Sequence, residues 1–196
     1  MPPNILFLLV DGLRSDQCFG DTKTSVTPNI DSLKENGLSF SQTISSADGT
    51  ILSLNSIING MYPNSTGTRS QKIIFKENNL IRFLSDCNYN IYGFLPKLTS
   101  FQSFIELCTN KNITYEPGPP TIPLSKTGQT ILHFLDSKKS EPWFYFVHIF
   151  DLHALREGSI PDGLADFDSE KFGQTKYERV VSSIDVWIGK ILKKID

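Results

Sequence analysis

"NILFLLVDG", Asn4 to Gly12, is the stretch on which the fold turns. Its apolar run, Ile5 to Val10, offers no polar position to either side of a pleat, so a strand here expects burial on both faces. It breaks off at Asp-Gly, the signature of a buried strand meeting a polar turn. A second run, "WFYFVHIF", Trp143 to Phe150, has the same character and breaks off at "DLH". Strands of this kind belong to a parallel sheet covered by helices.

The segments between and after them alternate in type. "TPNIDSLKENG", Thr27 to Gly37, reads as a helix with Thr27 as cap, Pro28 at the first helical position and Gly37 as the stop. "GLSFSQTIS", Gly37 to Ser45, reads as a short alternating strand. "SSADGTILSLNSIINGMYP", Ser45 to Pro63, supplies a helix from about Thr50 to Asn59. "NNLIRFLSDC" and "SFQSFIELC" read as helices, with the strand "YNIYGFL" between them. "YEPGPPTIPL", Tyr115 to Leu124, is rich in Pro and Gly and reads as a loop. "KTGQTILHFLDSKK" is a helix with Ile131, Leu132 and Leu135 inward, and residues 155–174 have no period. The final helix is the clearest, with Tyr177, Val181, Ile184, Ile188, Ile191 and Ile195 on one stripe. The expectation is one α/β domain over residues 1–196, with a mostly parallel central sheet and helices on both faces.

Composition narrows the function classes. Hydrophobic residues at 39% and charged residues at 20% are those of a globular chain. A net charge of −2 without a basic run gives no electrostatic basis for binding nucleic acid or an anionic membrane. The cysteines Cys18, Cys87 and Cys108 are odd in number and lack metal-type spacing, which argues against a disulfide framework. The apolar run near the N-terminus is too short to span a bilayer and has no basic region before it. These features give no transmembrane segment and a cytoplasmic, soluble protein as the expectation, with the oligomeric state open.

Parallel sheets place their sites beyond the carboxyl ends of the strands. Asp11 follows the first strand, where a carboxylate serves either as a hard-cation ligand or as a turn residue. Thr50 stands at the mouth of a helix, whose amides and dipole stabilise anions. It is either an N-cap or a nucleophile that a metal ionises for attack on phosphorus or sulfur. Asp151 and His153 form D-x-H after the later strand. In extended chain they point the same way, as ligands or as acid and anion-binder; the bland alternative for His153 is a surface histidine. His133 and His148 fall within the helix and strand patterns and read as structural. Asp48–Thr50 resembles the D-G-T of haloacid dehalogenase phosphatases, but Ser46 stands where their nucleophilic aspartate belongs.

The order "NILFLLVDGLRSD", "TPNIDSLKENGLSFSQTISSA", "SLNSIINGMYP" resembles the N-terminal half of the sulfatase family in the alkaline phosphatase superfamily. "EPWFYFVHIFDLHA" is similar to the family's later strand, and "SSIDVWIGKIL" to the helix after it. The resemblance implies a divalent metal (Mn, Zn or Ca), with Asp11 and Thr50 as ligands and Thr50 as nucleophile. It implies His153 and Lys97 as substrate-binding residues, with Asp151 as an additional one. The sulfatase modification signal C/S-x-P-S-R is absent: "TILSL" has Leu52 and Leu54 at its Pro and Arg positions. Thr is instead the nucleophile in phosphodiesterases and in phosphoglycerol or phosphoethanolamine transferases of the superfamily. Gly12 replaces the second aspartate, and Lys97 is all that stands for the G-K-W-H segment. The family's later metal motif, Asp followed by His or Asn and Gly, is expected beyond the final helix.

Two functions follow. One is a metal-dependent hydrolase or phosphotransferase cleaving phosphate (di)esters or sulfate esters, on a small-molecule or a lipid or glycan substrate, of which this chain is an N-terminal portion. The other is a truncated or degenerate member that binds anions or partners without turnover.

Overall fold

Both apolar runs form strands in the structure, a computed structural model that describes residues 2–69, 72–96, 113–118, 124–156 and 167–195. The strands are β1 (Ile5–Val10), β2 (Asn90–Pro96), β3 (Ile113–Gly118) and β4 (Trp143–Ile149). They form one sheet in the order β1-β4-β2-β3. β2 runs parallel to both β4 and β3, with Ile91 opposite Phe144 and Ile113. The α/β class with a parallel sheet is as expected. The chain divides into two compact units: Met1–Leu9, Gln42–Pro120 and Lys139–His148 in the first, Val10–Ser41, Thr121–Lys138 and Ile149–Asp196 in the second.

The first unit holds most of the sheet with helices α3 (Thr50–Asn59), α4 (Pro63–Thr66) and α5 (Leu80–Asp86). Every residue of β4 is buried, whereas β1, an outer strand among the described ones, is half-buried throughout and so falls short of the expected burial on both faces. Ile5, Phe7 and Leu9 of β1 pack with Phe144, Phe146, Ile91 and Leu95 against Ile51, Leu54 and Ile58 of α3. Phe7 stacks on Phe146 with ring centroids 5.1 Å apart. Asn4 registers the strand starts, because its Oδ1 accepts from the Trp143 amide at 3.0 Å. α3 also buries two amides. Asn55 Oδ1 accepts from Asn59 Nδ2 at 2.8 Å and from Thr68 Oγ1 at 2.6 Å. Asn59 continues outward to Ile74 O and the Lys76 amide. This buried network ties the C-terminal half of α3 to the turns that follow it, and left-handed Gly60 (φ 63°) ends the helix.

The second unit is built around α8 (Lys176–Leu192), with α1 (Asp16–Phe19), α2 (Pro28–Asn36), α6 (Leu124–Asp136) and α7 (Asp151–Arg156). α1, α2, α6 and α7 all contact α8. Its buried stripe is Val181, Ile184, Ile188 and Ile191; Tyr177 at its start is half-buried, and Ile195, expected on the stripe, lies past the helix end and is 42% exposed. A capping box starts it: the Glu178 amide donates to Thr175 Oγ1 at 3.2 Å and the Thr175 amide to Glu178 Oε2 at 2.8 Å. Gly128 lets α6 approach closely, since a Cβ there would lie 2.4 Å from the Trp187 ring.

The start of α2 departs from expectation. Thr27 occupies the cap position, but its side chain does not cap; its Oγ1 accepts from Lys23 Nζ at 2.8 Å. Fully buried Asp185 of α8 caps instead. Its Oδ1 accepts from the Ile30 amide at 2.8 Å, and its Oδ2 from the Asn29 amide at 3.2 Å and Asn29 Nδ2 at 2.8 Å. A carboxylate from a remote helix thus satisfies donors that a helix start leaves open.

Two segments are corrected. Gly37–Ser45 is not a strand. Leu38, Phe40 and Ile44 are 91, 80 and 93% exposed, and no neighbouring strand among the described residues supplies a ladder. Tyr115–Gly118, read as loop, is the second part of β3. An outer strand needs pairing on one side only, so it tolerates Pro117, which lies opposite Leu95. The helix read at "SFQSFIELC" lies outside the described residues. No helix among the described residues is long and apolar enough to cross a membrane.

Asp185→Ala leaves the half-buried Asn29 and Ile30 donors without their carboxylate and is expected to cost roughly 1–3 kcal/mol. Gly189→Ala sets a Cβ 2.4 Å from Asn29 Oδ1 and strains the same latch, at roughly 1–3 kcal/mol. Urea unfolding midpoints of the two variants against the parent chain check both values.

Candidate active site

Asp11 lies at the turn directly after β1. Its amide donates to Ile149 O, the last carbonyl of β4, at 2.9 Å. The carboxyl ends of β1 and β4 therefore finish side by side, and the two strands run the same way. Gly12 follows at φ +72°, a conformation that favours glycine. Tyr177 Oη donates to the Gly12 carbonyl at 2.7 Å and accepts from the Arg14 amide at 2.8 Å. Sequence reading missed Tyr177, whose place on the apolar stripe of the last helix masks a polar role. Arg14 pairs with Asp16 at 2.6 Å on the surface, a contact worth little to stability.

Asp151 and His153 begin α7, immediately beyond β4. They share the strand ends with Asp11 but do not lie in extended chain. On a helix, residues two apart point about 200° away from each other, so the expectation of a common direction is overturned. Asp151 is buried, and its Oδ1 accepts from the Leu124 amide at 2.8 Å, fastening the start of α6. Burial pushes its carboxyl up to about 6, against the opposing pull of that amide. His153 is half-buried and stacks on Phe150, centroids 4.2 Å apart.

Thr50 belongs to the first unit. Gly49, extended at φ −132° and ψ 149°, holds the cap position, and Thr50 is the first helical residue. The N-cap reading of Thr50 is thereby overturned. Gly49 has no side chain with which to cap, and first-turn amides lack intrahelical acceptors. The approach to the helix is held by serines: Ser53 Oγ donates to Ala47 O at 3.1 Å, and Ser45 Oγ to the same carbonyl at 2.5 Å. Lys97 lies outside the described residues.

A divalent cation wants roughly four to six donors. Asp11 is a hard anionic oxygen donor of the right kind, and Asp151 spends one oxygen on α6. Among the described residues no three His, Cys, Asp or Glu side chains converge on one point.

Asp151 makes stability depend on pH. The folded carboxyl holds its proton to about pH 6, above the unfolded value, so the native state binds more protons in between. Its contribution is fully present below the unfolded value and is lost as pH rises through 6. Asp151→Asn keeps the acceptor and removes the charge. It is expected to gain roughly 2–3 kcal/mol on the parent chain between about pH 4 and pH 7.5, read by urea unfolding at both.

The Sulfatase family model matches residues 3–196. No curated protein matches the chain in sequence. A structure of BT1596, a 2-O GAG sulfatase, superposes with TM-score 0.70 at 13% identity, covering 100% of this chain and 54% of that one. Phosphonate monoester hydrolase of Agrobacterium radiobacter gives 0.73 at 12%, covering 99% and 59%. The C-terminal periplasmic domain of EcEptC from Escherichia coli, in complex with Zn, gives 0.68 at 12%, covering 100% and 60%. The chain spans little more than half of each of these structures. At such identities the likeness speaks for the fold, and the family match carries the assignment: the chain belongs to the sulfatase family.

Proposed function

We propose that this chain carries the nucleophile and part of the metal shell of a hydrolase or phosphotransferase acting on phosphate (di)esters or sulfate esters. The observation that carries the reading is Thr50 as first residue of α3, with Gly49 before it. A hydroxyl there sits beside first-turn amides that favour a tetrahedral oxyanion. Thr50 Oγ forms the bond to phosphorus or sulfur and gives up its proton. The ester's oxygen leaves with its electron pair and takes up a proton. Water or an acceptor alcohol then breaks the threonyl ester and restores the hydroxyl. A divalent cation, when bound, supplies charge stabilisation at the attacking and leaving oxygens. Asp11 contributes a carboxylate to it. His153 and Lys97 contact the anionic ester, and Asp151 serves by fastening α7 to α6.

Thr50 as nucleophile, in place of the modified Cys or Ser of C/S-x-P-S-R, favours phosphate over sulfate esters. The relatives support the ester class: one is a sulfatase and another hydrolyses phosphonate monoesters, according to their names. A second reading, an anion-binding member without turnover, draws support from the incomplete ligand cluster among the described residues.

Stripping the divalent cation with a chelator is expected to cost many orders of magnitude in turnover, because this is a hard hydrolysis. In the longest natural polypeptide containing this chain, Thr50→Ala is expected to lower turnover by on the order of 10³-fold or more while leaving the fold intact. Assays with aryl phosphodiester, phosphomonoester and sulfate-ester substrates, each with Mn²⁺, Zn²⁺ or Ca²⁺ or with a chelator, check both. Robust activity that Thr50→Ala does not reduce contradicts the proposal. A polypeptide inert on all substrates favours the non-catalytic reading.

A further inference from the structure

We propose that Tyr177 is a positioning residue for Asp11: its hydroxyl closes the turn after β1 and holds the carboxylate ready for a divalent cation. The inference rests on the reading of Asp11 as a metal ligand.

The geometry is that of a clasp. On one side the Asp11 amide is fixed to Ile149 O at 2.9 Å. On the other, Tyr177 Oη donates to Gly12 O at 2.7 Å and accepts from the Arg14 amide at 2.8 Å. Asp11 stands between these anchors, followed by a glycine at φ +72°. A turn of this kind has no ladder of its own, so the phenol supplies the bonds that a strand neighbour would supply elsewhere. Tyr177 is itself held. It is the second residue of α8, between Thr175 and Glu178 of the capping box. Only a neutral hydroxyl can donate and accept at once, and burial raises the phenol above its ordinary value, keeping it neutral. The Arg14 guanidinium is taken by Asp16 at 3.0 and 2.6 Å and so does not hold the Gly12 carbonyl.

Tyr177→Phe in the longest natural polypeptide containing this chain, taken as the parent, keeps the ring and removes both hydrogen bonds. The probe is Mn²⁺ alone, added to ¹⁵N-labelled protein, with paramagnetic broadening of the Asp11 and Gly12 amides and amide exchange as readouts. In the parent chain Mn²⁺ broadens Asp11 first, and Asp11→Asn removes the effect. In Tyr177→Phe, half-broadening is expected to need on the order of tenfold more Mn²⁺. The Arg14 and Asp11 amides are expected to exchange about tenfold faster, with Val181 and Ile184 unchanged. Broadening of Asp11 in Tyr177→Phe at the parent's Mn²⁺ concentration overturns the inference and leaves the ligand reading standing. Absence of any Mn²⁺ effect on Asp11 in the parent chain overturns the ligand reading, and the inference with it.

Discussion

A single backbone bond, Asp11 amide to Ile149 carbonyl at 2.9 Å, sets the frame for the working end of this chain. It joins the residue just after β1 to the last residue of β4, and with Asn4 bonded to the Trp143 amide at the strand starts it fits two strands that run in one direction and stop together. Their apolar runs make that arrangement favourable, because neither strand has a polar face to give to water. Where they stop, buried backbone groups still need partners. The amide of Asp11 finds one across the strand end, and the carbonyl of Gly12 finds one in Tyr177. Polar residues follow both strands because the apolar runs have ended.

The second constraint is the buried carboxylate of Asp185. It replaces a local cap on α2 with a remote one, so α2 and α8 have to be docked for either to be satisfied. Close packing sharpens this: Gly189 leaves room for Asn29 and nothing larger. The T-P-N-I-D stretch, which marks the family, is in this light a latch. Pro28 presets the helix start, Asn29 reaches Asp185, and Asp31 accepts from Lys23 at 2.9 Å. None of these residues needs to touch a substrate to be indispensable.

Much of this was legible beforehand, where burial leaves a period. The runs of β1 and β4, the Thr50–Asn59 helix and the stripe of α8 follow from apolar spacing alone. Gly37–Ser45 misled because alternation predicts a strand only when a neighbour supplies the ladder. Tyr115–Gly118 misled in the opposite sense, since an outer strand forgives Pro and Gly. Asp185 was within reach: an acidic residue beside Ile184 on an apolar stripe demands a buried partner. The common direction of Asp151 and His153 rested on extended chain, and the strand had already given way to α7. For the site itself, residue types and order pointed to Asp11, Thr50 and the D-x-H pair. The clasp by Tyr177 left no mark in the sequence, because a half-apolar side chain on an apolar stripe looks like packing.

The reaction hinges on whether the Thr50 hydroxyl becomes covalently bonded to the substrate. Family membership fixes the class of fold, and Gly49-Thr50 at the mouth of α3 gives the hydroxyl an environment suited to anionic centres. The direct measurement is mass spectrometry of peptides from the longest natural polypeptide containing this chain, quenched during turnover of an aryl phosphodiester. The account predicts a phosphoryl-ester mass increment on the peptide bearing Thr50, lost in Thr50→Ala. Turnover with no increment at Thr50, or an increment that persists in Thr50→Ala, would contradict it.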